Sequence, residues 1–281
     1  MTGSSTVKMQ IQSKMTVLQS ADSYRKYLKQ ELSGVGVNAA LKKFHLYSPQ
    51  PKSRDNVVGI DGSNASSKKL GFTFDVISTV SVTKEGQTIS VNTECGYNLD
   101  VNEKRMVLEA KTILNNLKNY NVVADGSMYN LVQLPESNKF IQRIPSKSPF
   151  DLVFVAKTST SRKFAFGPFT DMAYFGNCTS ETGFSEPYVD KISPTKIITS
   201  TYLRLAKNCP VVKLEILGEK TIENIKEIIN WLSSTCVNGY PYELQLAHDT
   251  CKITGDDLLE IESMIGISSI PADRDVLRDN N

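Results

Sequence analysis

The 281-residue chain carries 32 Lys and Arg against 30 Asp and Glu, a formal net charge of +2, with 40% hydrophobic and 22% charged residues. That balance describes a globular protein with enough chain to bury a core, and it excludes a histone-like or wholly electrostatic binder of nucleic acid. Five cysteines, with no Cys-x-x-Cys pair, indicate neither a disulfide framework nor a zinc ribbon. No apolar run approaches the ~20 residues that span a bilayer. The opening MTGSSTVKMQ lacks a signal-peptide apolar region, so the expectation is a cytoplasmic protein with no membrane association.

In chain order, Val7 to Leu32 is helix-compatible, with Ile11, Met15, Leu18, Tyr24, Tyr27 and Leu28 near helical spacing, and Gly34 and Gly36 stop it. Asn38 to Leu46 predicts a second helix, and Ser48 to Arg54, with Pro49 and Pro51, predicts a linker. Residues 1–54 therefore read as an N-terminal helical extension. The segment DNVVGIDGSN, residues 55–64, is a short β-branched run that Asp-Gly-Ser cuts off, the pattern of a buried strand with Asp61 at its tip. Leu70 to Thr83 and Gln87 to Cys95 predict a hairpin turning at Lys84-Glu85-Gly86. Val101 to Leu117 predicts an amphipathic helix. NYNVVADGSMYN, residues 119–130, then repeats the first pattern and places Asp125 at a second strand tip.

Leu152 to Ala156 is a compact apolar strand ending at Lys157. Phe164 to Phe175 crowds aromatic rings into a loop-like stretch, which suits dimer or partner contacts, a core, or stacking on unpaired bases. Ile197 to Leu205 and Val211 to Leu217 predict a strand pair, and Thr221 caps a helix to Leu232. Asn238-Gly239-Tyr240-Pro241 is a sharp turn into a segment bearing His248, and a last helix runs near Gly255 to Ile265. Residues 55–267 form the main domain and 268–281 a mobile tail. The order of strand, hairpin, helix, strand predicts an α/β protein with a ribonuclease H-like mixed sheet flanked by helices.

Metal-assisted phosphodiester chemistry needs several carboxylates at one spot, because hard divalent cations take oxygen ligands and two ions about 3.5–4 Å apart hold both attacking and leaving oxygens. Asp61 and Asp125 could face each other from two strand tips. Glu109, midway along the helix between them, sits at the edge of its apolar face and can reach the same spot. His248 is a candidate ligand or proton carrier. An isolated Asp-Gly is more often a plain turn, and an isolated helical Glu a solvated charge.

IDGS at Asp61, the helical Glu109, ADGS at Asp125, Lys157 in VFVAKTS and the string GYPYELQLAH from Gly239 to His248 together resemble the NurA nuclease family, from Val57 onward. The resemblance implies a ribonuclease H-like, manganese-dependent nuclease, with magnesium as the alternative and two ions. It would act on single- and double-stranded DNA ends in 5′–3′ resection during double-strand break repair, as a homodimer beside a hexameric HerA-type translocase. Carried over by position, Asp61, Glu109, Asp125 and His248 would hold the metal, Tyr240 would lie close to the site, and Lys157 would bind phosphate. Two alternatives differ in class: an actin-like or sugar-kinase-type ATPase, which would need a second phosphate loop that residues 152–267 do not offer, and an inactive scaffold binding DNA or a helicase.

Overall fold

The computed structural model describes residues 41–145, 148–165, 169–268 and 270. The elements in order are β1 (Phe44–Leu46), β2 (Val57–Lys69), β3 (Phe72–Thr83), β4 (Thr88–Tyr97), α1 (Val101–Asn116), β5 (Asn121–Asp125), α2 (Met128–Gln133), α3 (Pro135–Arg143), β6 (Leu152–Ala156) and α4 (Asp171–Cys178). They continue with β7 (Gly183–Ser185), β8 (Tyr188–Lys191), β9 (Ile197–Arg204), β10 (Val212–Leu217), α5 (Ile222–Ser234), β11 (Cys236–Val237), β12 (Tyr240–Pro241), α6 (Tyr242–Cys251) and α7 (Gly255–Met264).

One mixed sheet runs in the order β1-β7-β9-β10-β6-β5-β2-β3-β4, with β8 on β9. At its centre β2, β5 and β6 are parallel, and the other pairings are antiparallel. The central strands are buried on both faces, so successive residues go to different cores. Val57, Val123, Val153 and Val155 pack with Ile225, Ile229 and Trp231 of α5. Val58, Val122, Leu152 and Phe154 pack on the other side with Ala110 and Ile113 of α1 and Ile141 of α3. Each fully buried side chain of this size contributes about 1.5–3 kcal/mol.

The hairpin at residues 84–86 and the helices expected over 101–117, 221–232 and 255–265 are present. β3 and β4 turn at residues 84–86, α1 is capped by Asp100, whose side chain accepts from Glu103 N, and Thr221 caps α5 in a reciprocal box with Asn224. Asn238 and Gly239 both have positive φ, 50° and 83°, as a two-residue hairpin between β11 and β12 requires.

Two expectations need correction. Asp61 does not end its strand: β2 runs 13 residues to Lys69, and its second half pairs with β3 as a projecting ribbon. Only the parallel pairing with β5 stops there, at Ile60 opposite Ala124, so Asp61 and Asp125 each follow the last parallel pair. The predicted helix over 38–46 ends early: residues 41–42 are helical and 44–46 form β1, because Phe44 packs with Phe175 and Tyr202 while residues 44–46 pair with β7; residues 38–40 lie outside the described residues. Of the roles open to the aromatic stretch, Phe164, Tyr174 and Phe175 take that of core, packing with Phe44 and Tyr202. Phe166, the predicted helix over 7–32, and the tail apart from Ser268 and Ile270 lie outside the described residues.

No helix among the described residues is long and apolar enough to cross a membrane.

Candidate metal centre

Each carboxylate arrives on a rigid element. Asp61 and Asp125 leave the ends of the parallel β2–β5 pairing, and each folds back so that one of its oxygens accepts from the following glycine N–H, at 2.8 and 2.9 Å. Glu109 enters from α1, which packs against β2 and β3. The space for it exists because residue 62 is glycine: a Cβ there would come within 2.5 Å of Glu109 Oε1 and 2.9 Å of Arg105 Cγ. Gly62 is therefore a close-approach residue, not a turn residue.

Asp61, Glu109, Asp125, Lys157 and Arg105 line a single pocket of about 290 Å³. The C-terminal segment contacts two of its carboxylates. Tyr240, delivered by the Asn238-Gly239 hairpin, donates its hydroxyl to Asp125 Oδ1 at 2.9 Å. Lys157 Nζ reaches Asp125 Oδ2 at 3.1 Å and lies 4.5 Å from the centre of the Tyr240 ring. His248, on α6, meets Asp61 Oδ2 through Nδ1 at 2.9 Å, and its side chain is 51% exposed against 9% for Asp61. α6 can approach this closely because a Cβ on Gly59 would sit 2.2 Å from the Glu243 carbonyl oxygen. All six sequence-derived candidates thus fall in one neighbourhood.

The electrostatics show a surplus of negative charge. Burial pushes the Glu109 carboxyl up most, Arg105 pulls it back, and Asp61 and Asp125 push it further, to about 8. Burial, then the Asp125 charge, also raises Asp61, while the His248 contact lowers it. Burial and Asp125 hold the Tyr240 phenol far above its usual range, so it keeps its proton and remains a donor. As placed, no group of three or more His, Cys, Asp and Glu among the described residues could hold an ion. Asp125 is engaged by Tyr240 and Lys157, and Asp61 by His248. The donor set nevertheless suits a divalent cation, since three carboxylates line one pocket and the mutual repulsion that helps raise Glu109 and Asp61 is relieved by positive charge.

Two contributors escaped sequence reading. Arg105 lies 3.7 Å from Glu109, one helical turn earlier. Glu215 is fully buried and accepts from Ser127 Oγ, Met128 N and Lys213 Nζ, which ties β10 to the residues just after Asp125. A lone carboxylate inside the apolar run VKLEIL was its available signal.

The NurA domain family model matches residues 150–253. That segment is similar to the NurA domain. Lys157, Tyr240 and His248 fall inside that match, and Asp61, Glu109 and Asp125 precede it. Over 143 residues the chain is 24% identical to the DNA double-strand break repair nuclease NurA of Saccharolobus solfataricus, a match covering 46% of this chain and 42% of that protein. The chain thus spans under half the length of that curated relative. The fold is similar to the crystal structure of the NurA nuclease from Sulfolobus solfataricus, with TM-score 0.75 and 19% identity over 92% of this chain and 96% of that one. It is also similar to a structure of NurA bound to dAMP and manganese, with TM-score 0.61 and 12% identity over 88% and 96% of the two chains. Within the matched segment Lys157 lines the pocket, and Tyr240 and His248 contact Asp125 and Asp61, while the preceding residues supply the carboxylates.

Proposed function

We propose that the chain is a metal-dependent deoxyribonuclease, a phosphodiester hydrolase acting on DNA ends. The observation that carries this reading is the single pocket where carboxylates from β2, α1 and β5 meet, in a chain with a segment similar to the NurA domain. The strand order β4-β3-β2-β5-β6, parallel only between β2 and β5 and between β5 and β6, supports a ribonuclease H-like classification. Asp61, Glu109 and Asp125 would hold manganese, or magnesium, as two ions, with His248 offering the ring nitrogen that its Asp61 contact leaves free. Bound there, the metal would polarise the phosphate and supply a nucleophile at neutral pH.

The protein's own groups prepare that site. Tyr240 fixes one oxygen of Asp125 and so orients the carboxylate. Lys157, half exposed at the rim, is held by a weak surface pair and is placed to exchange Asp125 for a phosphate oxygen. Glu109 gives up its proton when positive charge arrives beside it. A homodimer, a HerA-type hexameric translocase as partner and 5′–3′ resection complete the proposal, and they rest on the family resemblance. The test is cleavage of end-labelled single- and double-stranded DNA by the full chain. We expect degradation with manganese and none with chelator; no cleavage with either manganese or magnesium would overturn the reading.

A further inference from the structure

A second cavity, of about 590 Å³, adjoins the carboxylate pocket and shares Ser127, Asn130, Ala156 and Thr158 with it. Beyond these shared residues its lining is rich in hydroxyls, from Ser159, Thr160 and Ser161 on the segment that follows Lys157. The lining also includes Tyr129 of α2, which is 51% exposed, with Lys163, Tyr188, Asp190 and Lys213.

The hydroxyl segment is held in shape from behind. Fully buried Asp171 accepts from Ser161 Oγ, Lys163 N, Phe164 N, Ala165 N and Tyr202 OH, at 2.7 to 3.0 Å. Lys213 is committed to Glu215 at 2.6 Å, so Lys163 is the ammonium that can meet a ligand. Lys163 is paired with Asp190 at 3.1 Å, both about half exposed, and sits 3.9 Å from the Tyr188 ring centre. An exposed pair of that kind is weak enough for a phosphate to displace the carboxylate.

Resting on the nuclease reading above, we infer that this cavity is a subsite for the nucleotide next to the scissile phosphate on a single DNA strand. Tyr129 stacks on its base, and Lys163 with the 158–161 hydroxyls takes its phosphate. Hydroxyls and one ammonium suit a sugar-phosphate, the volume falls within the range of small-ligand sites, and an isolated exposed ring reads a base only when that base has left a duplex stack.

The test is fluorescence anisotropy of a labelled thymidine oligonucleotide with the full chain in chelator, where the strand is not cut, with thymidine monophosphate as competitor. Tyr129→Ala should weaken oligonucleotide binding roughly tenfold and Tyr129→Trp should restore it, because a stacking face returns. Lys163→Ala should weaken binding and lower the salt slope by about 0.7, one phosphate contact on a single strand. Competition by the monophosphate, which carries the base and the phosphate the subsite takes, should weaken in both alanine variants. Wild-type affinity and salt slope in Tyr129→Ala and Lys163→Ala, beside a wild type that binds and cleaves DNA, would overturn the subsite and leave the nuclease reading standing. A wild type that neither binds nor cleaves any strand would overturn both.

Discussion

The Tyr240 hydroxyl donates to Asp125 Oδ1 at 2.9 Å across 115 residues of sequence, joining the turn before α6 to the end of a central strand. Through this bond the C-terminal segment orients a carboxylate it does not contain. Tyr240→Phe keeps the ring and its contact with Lys157 but removes the donor. Cleavage should fall roughly tenfold while the melting temperature changes little, since the loss is about one hydrogen bond to a charged group. An unchanged rate would reduce Tyr240 to a packing residue.

Glu109 makes stability depend on pH in a defined window. In the folded, metal-free protein it keeps its proton up to about 8, whereas the unfolded chain loses it near 4.5. Between those values the unfolded state binds fewer protons, so stability falls as pH rises, by at most about 1.4 kcal/mol per pH unit, and levels off above them. Asp61, also raised, adds in the same direction. Denaturant unfolding in chelator should show this slope, and Glu109→Gln should flatten it. Parallel profiles for the two proteins would contradict the assignment.

Gly62→Ala should disable the site while sparing the fold. The new methyl would press on Glu109 Oε1 and Arg105 Cγ, both of which belong to flexible side chains and can be displaced. We expect cleavage to drop by an order of magnitude or more and stability to change by about 1 kcal/mol, measured by activity and thermal melts. Wild-type activity would show that Glu109 need not approach β2.

Much of this arrangement was legible in the sequence. Leu152 to Ala156, Thr221 as a cap and Asn238-Gly239 as a sharp turn are local signals, set by β-branching, a side-chain acceptor and positive φ, and each stands as read. The ribbon half of β2 was not, because SNASSKK is polar and half exposed, and it is a strand only through its partner Phe72–Thr83. Asp-Gly-Ser at Asp61 read as a turn for the same reason. β1 is three residues long, and Phe44 joins the sheet through tertiary packing rather than propensity. Arg105 and Glu215 were missed because their roles come from neighbours that only the fold assembles.

Thr221→Ala serves as a control distant from the pocket. Losing the cap that accepts from Asn224 N should cost about 1 kcal/mol of stability and leave cleavage untouched. A fall in activity larger than the loss of folded protein would mean that α5 communicates with the site.

The account stands most directly on the rate at which folded Asp61→Asn and Asp125→Asn variants cut end-labelled DNA at saturating manganese, compared with wild type. Each substitution keeps shape and removes one charge, so the carboxylate centre predicts a loss of at least on the order of a hundredfold in both, with melting temperatures held or raised. Cutting at the wild-type rate by either variant would contradict it.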